Sequence, residues 1–410
     1  MIQITDKTKC CGCTACYSIC PSKCLSMIPD NEGFPYPVAD TARCVECGAC
    51  ERVCPYNNLH VEAKTESIYA AIQYKKEKER RISTAGGAFS LFANYIIENG
   101  GIVYAVGYDD CMVVCHKACS HINDLQELRG SKYVQSTLRE TYSEIKNNLK
   151  RKTVLFVGTP CQVHGLKNYV GESDNLYTID LLCLGVSSPK LFEEWISYLE
   201  QKYRAKVTYV AFRDKHYGYS TPNVRVFFEN AKEMDQKYDT RVHANLFFRH
   251  YNVRPSCYEC EFREEPRASD FTIGDFTEIA DVNKSMNDDK GTTKLWVHTQ
   301  KGKEILAQVE GEARIYYIDD HARNIVGGPK RQIKRPEKRE DFFRDAEKLD
   351  YFALVSKWEP ISFKGEFVGI MRPIVNKFPF KTKIFQYLRK IKMRQYHKNL
   401  RELNIKNNHK

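Results

Sequence analysis

The chain opens on Cys10-x2-Cys13-x2-Cys16-x3-Cys20-Pro21, and the same spacing returns as Cys44-x2-Cys47-x2-Cys50-x3-Cys54-Pro55, a repeat with a period of 34 residues. Three thiolates at steps of three wrap one corner of a cubane cluster, while the fourth, followed by a helix-breaking Pro, points away to serve the other cluster. The pattern assigns Cys10, Cys13, Cys16 and Cys54 to one 4Fe-4S cluster and Cys44, Cys47, Cys50 and Cys20 to a second. Gly12 and Gly48 fall in the ligand loops, where backbone must approach sulfur and donate N–H bonds to it. Zinc in paired Cys-x2-Cys knuckles needs neither the third Cys nor the Cys-Pro end. Cys11 and Cys24 lie off the pattern and read as packing thiols.

With 410 residues, 42% hydrophobic and 28% charged, the chain is neither disordered nor fibrous and has room for two or three domains. No stretch approaches the ~18 apolar residues of a membrane span, and Met1–Lys7 shows no signal-peptide core, so a cytoplasmic location is expected. In that reducing compartment, 17 cysteines read as metal ligands or redox groups. Segment 1–60 resembles a bacterial-type dicluster ferredoxin. Such a module passes single electrons and does no substrate chemistry, which must lie downstream.

After a charged connector around Glu62–Arg80, Ile82-Ser-Thr-Ala-Gly-Gly-Ala-Phe-Ser90 leads into an apolar run of helical period, and Ile102–Gly107 reads as a buried strand. Small residues at a helix start suit a phosphate, with a plain helix cap as the bland reading. Val154–Val157, Gly158-Thr-Pro-Cys-Gln162 and a helix over Val163–Tyr169 form a strand-turn-helix that sets Cys161 at a helix start, where the dipole would stabilise its thiolate. The strand Tyr177–Leu182 delivers Cys183, and Cys257-x2-Cys260 follows Arg254-Pro255. On spacing alone zinc, buried inert thiols and a third cluster are all tenable for these four cysteines. Cys111, Cys115 and Cys119, with His116 and His121, favour packing over metal, and His164 and His216 are candidate proton donors that are more often plain surface or core residues. There is no GxGxxG after a strand and no GxxxxGK[ST], so no nucleotide fingerprint is present.

Ser83–Ser90, Gly130-Ser-Lys-Tyr133, Gly158–Gln162, Asp180-Leu-Leu-Cys-Leu-Gly185, Arg254 with Cys257-x2-Cys260, Asp270 with Ile273-Gly-Asp275, and Asp289-Lys-Gly-Thr292 occur in the order seen in the coenzyme F420 hydrogenase/dehydrogenase β-subunit family, which the chain resembles over about residues 66–325. The resemblance implies an iron–sulfur flavoprotein of mixed fold, α+β and α/β. Its parts would be a ferredoxin-like dicluster domain (1–60), the flavin-binding part (66–145), the part bearing the four-cysteine site (150–325) and a basic amphipathic tail (346–410). It implies a third 4Fe-4S cluster on Cys161, Cys183, Cys257 and Cys260, and FAD held by Ser83, Thr84, Gly86, Gly87, Ser90, Ser131 and Lys132. The paired motifs that hold a nickel–iron centre are missing, so this chain alone should not split hydrogen. The implied activity is electron passage between the clusters and FAD, then to or from a deazaflavin or sugar-derived compound. A non-catalytic electron-transfer subunit of a larger complex is the alternative. Ferredoxin or another low-potential donor and a small-molecule acceptor are the expected partners, and the sequence names no catalytic acid or base.

The net charge of +11 sits entirely in residues 361–410, which hold 13 Lys and Arg against Glu366 and Glu402. The remaining body is neutral and carries no phosphate-binding footprint, which argues against nucleic acid. Within the tail, Ile384, Tyr387, Leu388 and Ile391 recur at helical spacing among Lys and Arg, a basic amphipathic helix suited to an anionic membrane face or an acidic partner. Deleting residues 376–410 should abolish binding to anionic vesicles in a sedimentation assay, and unchanged sedimentation would refute anchoring by the tail.

Overall fold

A computed structural model describes residues 1–59, 67–235, 237–319 and 333–360. The tail helix expected at 378–396 lies outside the described residues. The amino-terminal segment holds helix α1 (Ala15–Ile19), the hairpin of β1 (Leu25–Pro29) and β2 (Pro35–Ala39), and helix α2 (Ala49–Arg52). Each repeat unit therefore gives one short helix carrying its third cysteine.

Beyond it come β3 (Ile68–Tyr74), α3 (Glu77–Ile82), α4 (Ala88–Glu98), β4 (Ile102–Tyr108), β5 (Val114–Cys119), α5 (Thr141–Asn148), β6 (Val154–Gly158), α6 (Pro160–Val170) and β7 (Leu176–Leu181). Then follow α7 (Pro189–Tyr203), β8 (Val207–Asp214), β9 (Asn223–Phe228), β10 (Glu233–Met234), α8 (Tyr238–Phe248), β11 (Phe271–Asp275), β12 (Thr293–Val297) and β13 (Ala313–Tyr317). Eight strands form one mixed sheet in the order β13-β3-β12-β11-β7-β6-β4-β5, and β10-β9-β8 form a small antiparallel sheet. In the large sheet β4, β6, β7 and β11 run parallel, the arrangement that strand-helix-strand crossovers produce. The fold is thus mixed α/β behind a ferredoxin-like segment, as expected.

One feature departs from the sequence reading. The connector expected around Glu62–Arg80 contains β3, an inner strand paired antiparallel to β12 and β13. Its run Ile68-Tyr-Ala-Ala-Ile-Gln-Tyr74 is buried from Tyr69 onward, which fits a strand covered on both faces. The ferredoxin-like segment packs into the rest of the chain: Cys13, Cys16 and Leu25 share one apolar core with Tyr142, Phe156, Val163 and Leu166. A second core gathers Ala70, Phe92, Val103, Leu155, Ile179 and Leu295 around the sheet, and a third places Trp195, Val210, Leu246 and Leu354 between α7, α8 and the small sheet.

Charge is also built into the sheet. Asp180 on β7 accepts from Arg267 Nη1 at 3.3 Å and from Thr272 Oγ1 at 2.5 Å, with both members of the ion pair 1% exposed. Among the described residues no helix is long and apolar enough to cross a membrane. Removing one member of a buried pair strands the other charge, so Arg267→Ala should cost about 3–5 kcal/mol in denaturant unfolding. A loss under about 1 kcal/mol would show that the pair does not carry its charge in the folded state.

Candidate cofactor sites

The two amino-terminal repeats place their cysteines around two cavities. Cys10, Cys13, Cys16 and Cys54 line one, together with Ile2, Ile4, Met27 and Tyr56. Cys20, Cys44, Cys47 and Cys50 line the other. Backbone geometry follows the repeat: the left-handed region is occupied at Gly12 and Thr14 in the first loop and at Glu46 and Gly48, 34 positions on, in the second. Each loop spends its one glycine at a different position of the pair. Ile2 N donates to Cys50 Sγ at 3.4 Å, an amide-to-sulfur bond of the kind that cluster loops use.

The third set is assembled at the carboxyl ends of neighbouring parallel strands, where open α/β sheets hold their ligands. Cys161 occupies the first turn of α6 directly after β6, Cys183 follows β7, and Cys257 closes a 3-10 turn at Pro255–Cys257 with Cys260 three residues on. Thr159 Oγ1 lies 3.2 Å from Cys161 Sγ, and Gly185 N donates to Cys183 Sγ at 3.3 Å. Burial and then the Cys161 and Cys260 thiols push Cys183 up to about 12. Burial pushes Cys257 up as well, with Cys183, Cys260 and Cys161 adding to it. The expectation that the helix dipole would ease ionisation of Cys161 does not hold: the hydrogen bond with Cys11 and burial raise it well above the ordinary thiol value. Such a set is neutral until a cation displaces its protons, which is the donor chemistry of an iron–sulfur or other thiolate-bound metal centre. Among the described residues, no three His, Cys, Asp or Glu side chains converge as a site for a single metal ion.

Cys11, expected as a packing thiol, sits between the two sets: Cys13 of the first cavity and Cys161 of the third set both act on its ionisation, and the net effect, with burial, holds it well above the ordinary thiol value. Tyr56, on the wall of the first cavity, has its hydroxyl pushed up by burial and then by the neighbouring Cys11, Cys161, Cys260 and Cys257, and its ring packs edge-on against Phe262 at 5.0 Å. On the same border Gly165 of α6 lets the helix come in: a Cβ there would lie 2.8 Å from Cys13 Sγ. The Cys10-Cys11 doublet was the only trace of this border in the sequence. Cys24 lies 3.4 Å from Cys20 Sγ beside the second cavity.

The residues expected to hold a flavin fall into two groups. Thr84 Oγ1 accepts from Ser131 N at 3.1 Å, and α4 begins at Gly87 without a side-chain cap, which leaves first-turn amides for a ligand. Gly86 is pressed onto β3, where a Cβ would lie 2.2 Å from the Ile72 carbonyl oxygen. Ser83 and Ser90 bond each other at 3.1 Å, and Ser90 accepts from Arg129, which pairs with Glu79. Lys132 gives its ammonium to the carbonyls of Val106, Glu127 and Arg129 at 2.8, 3.2 and 2.8 Å, and burial pushes it down to about 7. Three acceptors use all three of its protons, so Lys132 ties backbone together instead of facing a phosphate.

Other candidates resolve as structure. Cys115, Cys119 and His116 are buried, with His116 Nε2 at 3.2 Å from the Val157 carbonyl, while Cys111 is exposed. His164 is buried against Phe262, and His216 is exposed. Asp270 accepts from Thr178 N at 2.8 Å, and Asp289 from Ser220 N at 2.7 Å.

Residues 9–58 match the family of 4Fe-4S dicluster domains, and residues 151–321 match the family that forms the carboxyl-terminal part of the coenzyme F420 hydrogenase/dehydrogenase β-subunits. The chain thus carries, over residues 151–321, the carboxyl-terminal domain of the coenzyme F420 hydrogenase/dehydrogenase β-subunits, with a dicluster domain in front. No curated protein matches the sequence. A solved chain from the xenon-derivatised F420-reducing [NiFe] hydrogenase complex of Methanosarcina barkeri is similar over 73% of this chain and 94% of its own, at 14% identity and a TM-score of 0.42. The β-subunit domain and the dicluster domain together make this an iron–sulfur protein of redox electron transfer.

Cysteine deletions separate the three sites. Cys13→Ala, Cys47→Ala and Cys183→Ala should each lower the iron content of anaerobically prepared protein from roughly twelve per chain to roughly eight, while Cys111→Ala leaves it unchanged. A full iron count in Cys183→Ala would remove the third cluster.

Proposed function

We propose that the chain is an iron–sulfur flavoprotein oxidoreductase that passes electrons between 4Fe-4S clusters and FAD, and on to or from an organic two-electron carrier or substrate such as a deazaflavin or a sugar-derived compound. The observation that carries this reading is the shared border of the first cavity and the third cysteine set, where α6, the helix of Cys161, comes so close at Gly165 that a Cβ there would lie 2.8 Å from Cys13 Sγ. Electron transfer needs short, rigid separations, and buried side chains in van der Waals contact supply them.

Cys10, Cys13, Cys16 and Cys54, Cys20, Cys44, Cys47 and Cys50, and Cys161, Cys183, Cys257 and Cys260 are the proposed ligand sets. Exposed Cys47 puts the second cavity at the surface, the place where ferredoxin or another low-potential donor would dock. Thr84, Ser131 and the opening amides of α4 are the groups proposed to hold the flavin phosphates, with Gly87 at φ +89° turning the backbone into the helix. A flavin, when bound, exchanges electrons singly or in pairs and so joins one-electron clusters to hydride chemistry. The residues of this chain fix its position and keep water from the buried side of the helix start.

Anaerobic protein should release about one flavin per chain on acid treatment, and it should reduce one member of a panel of deazaflavin and sugar-derived acceptors when supplied with reduced ferredoxin. Full iron with no flavin and no acceptor reduced would leave an electron-transfer subunit in its place.

A further inference from the structure

Arg254 is fully buried, and its guanidinium is spent on one corner of the first cavity. Nε donates to the Cys10 carbonyl at 2.8 Å, Nη1 to Gln135 Oε1 at 2.9 Å, and Nη2 to the Pro35 carbonyl at 3.1 Å and to Cys10 Sγ at 3.6 Å. The rings of Tyr36 and Phe34 cover it, with centroids 4.3 and 5.5 Å away. Four other buried arginines meet a carboxylate: Arg80 pairs with Asp288, Arg129 with Glu79, Arg267 with Asp180 and Arg339 with Glu32. Arg254 makes no such pair among the described residues; its acceptors are neutral oxygens and one sulfur.

A buried cation without a counter-charge is strongly disfavoured, so the charge that balances Arg254 has to come from the cavity itself. Four thiolates outweigh the positive core of a 4Fe-4S cluster, which makes the whole an anion, and each added electron makes it more negative. A nearby cation and a hydrogen bond to a ligand sulfur both favour the reduced form. We propose that Arg254 is the counter-charge of a cluster on Cys10, Cys13, Cys16 and Cys54 and holds its reduction potential up through that charge and the bond to Cys10 Sγ. The inference rests on the reading that this cavity holds a 4Fe-4S cluster.

The repeat shows that the place is built. Gly12 has φ +67°, and a Cβ there would lie 2.5 Å from Gln135 Nε2 and 2.9 Å from Arg254 Nη1. The equivalent position in the second loop is Glu46, also left-handed at φ +52°, and the loop arginine there, Arg52, is exposed to water. Water screens a surface charge, so the second cavity lacks this device. Arg254 also belongs to the segment that carries Cys257, whose N–H donates to the Arg254 carbonyl at 3.0 Å, so the same residue fastens the first ligand loop to the third ligand set.

Potentiometric titration of the full anaerobic chain, followed by electron paramagnetic resonance, tests this. In Arg254→Gln the cluster that disappears in Cys13→Ala should show at least a tenfold lower reduced-to-oxidised ratio at a given potential, 59 mV for one electron, and Arg254→Lys should recover part of the shift. Gln135→Glu supplies the missing carboxylate beside Nη1 while keeping the arginine, and should lower the same midpoint. Unmoved midpoints in Arg254→Gln with full iron overturn the proposal. Should Arg254→Gln lose the cluster, an unmoved midpoint in Gln135→Glu overturns it. Wild-type protein that lacks the Cys13-dependent signal would instead sink the cluster reading itself.

Discussion

Thiols taken out of water together resist ionisation, and that resistance organises most of this molecule. Cys183 and Cys257 on the sheet's carboxyl edge are held up by burial and by one another, so the set keeps its protons until iron or another cation takes their place. The surroundings answer the same electrostatics. Amides of Ile2 and Gly185 aim at sulfur, a guanidinium is buried beside Cys10, and the chain spends left-handed backbone at 12, 14, 46 and 48 to bring polar N–H groups around. Metal affinity and folding are therefore one equilibrium in this chain, because the cores that close around the ligands include the ligands themselves.

The sorting of the eight amino-terminal cysteines around two cavities was legible because the pattern is local: three cysteines and a Cys-Pro end fit within twelve residues, and the repeat announces the partner set. The strand-turn-helix at Val154–Val170 and the strand before Cys183 were legible for the same reason, each having its periodicity and its turn residues in one stretch. What escaped was non-local. Strand β3 sits between charged residues in sequence and reads as a connector, and only its partners near residues 295 and 315 reveal it.

Residue type misled where a side chain's partners are distant or backbone. Lys132 in a glycine-opened loop has the look of a phosphate ligand, yet its three protons are taken by three carbonyls, and Lys215 does the same for the carbonyls of Arg80, Ala85 and Lys290. These two lysines act as staples of irregular backbone, a job that suits a lysine because its ammonium has three protons to give. Cys11 and Arg254 show the reverse: neither type at its position suggests a junction, and only the packing of the first loop against the Cys257 segment makes one.

The placement of β3 governs the order in which the protein comes into being. Both of its sheet neighbours are encoded some 220 residues downstream or more, since Ile72 pairs with Thr293 and with Ile315. At the pace of translation, about 5–20 residues per second, this apolar strand leaves the ribosome on the order of 10–40 s before either neighbour exists. The core partners of the dicluster segment, Tyr142 to Leu166, are made well inside that interval, so the amino-terminal segment can close while the edge of β3 still waits, unpaired, for β12 and β13.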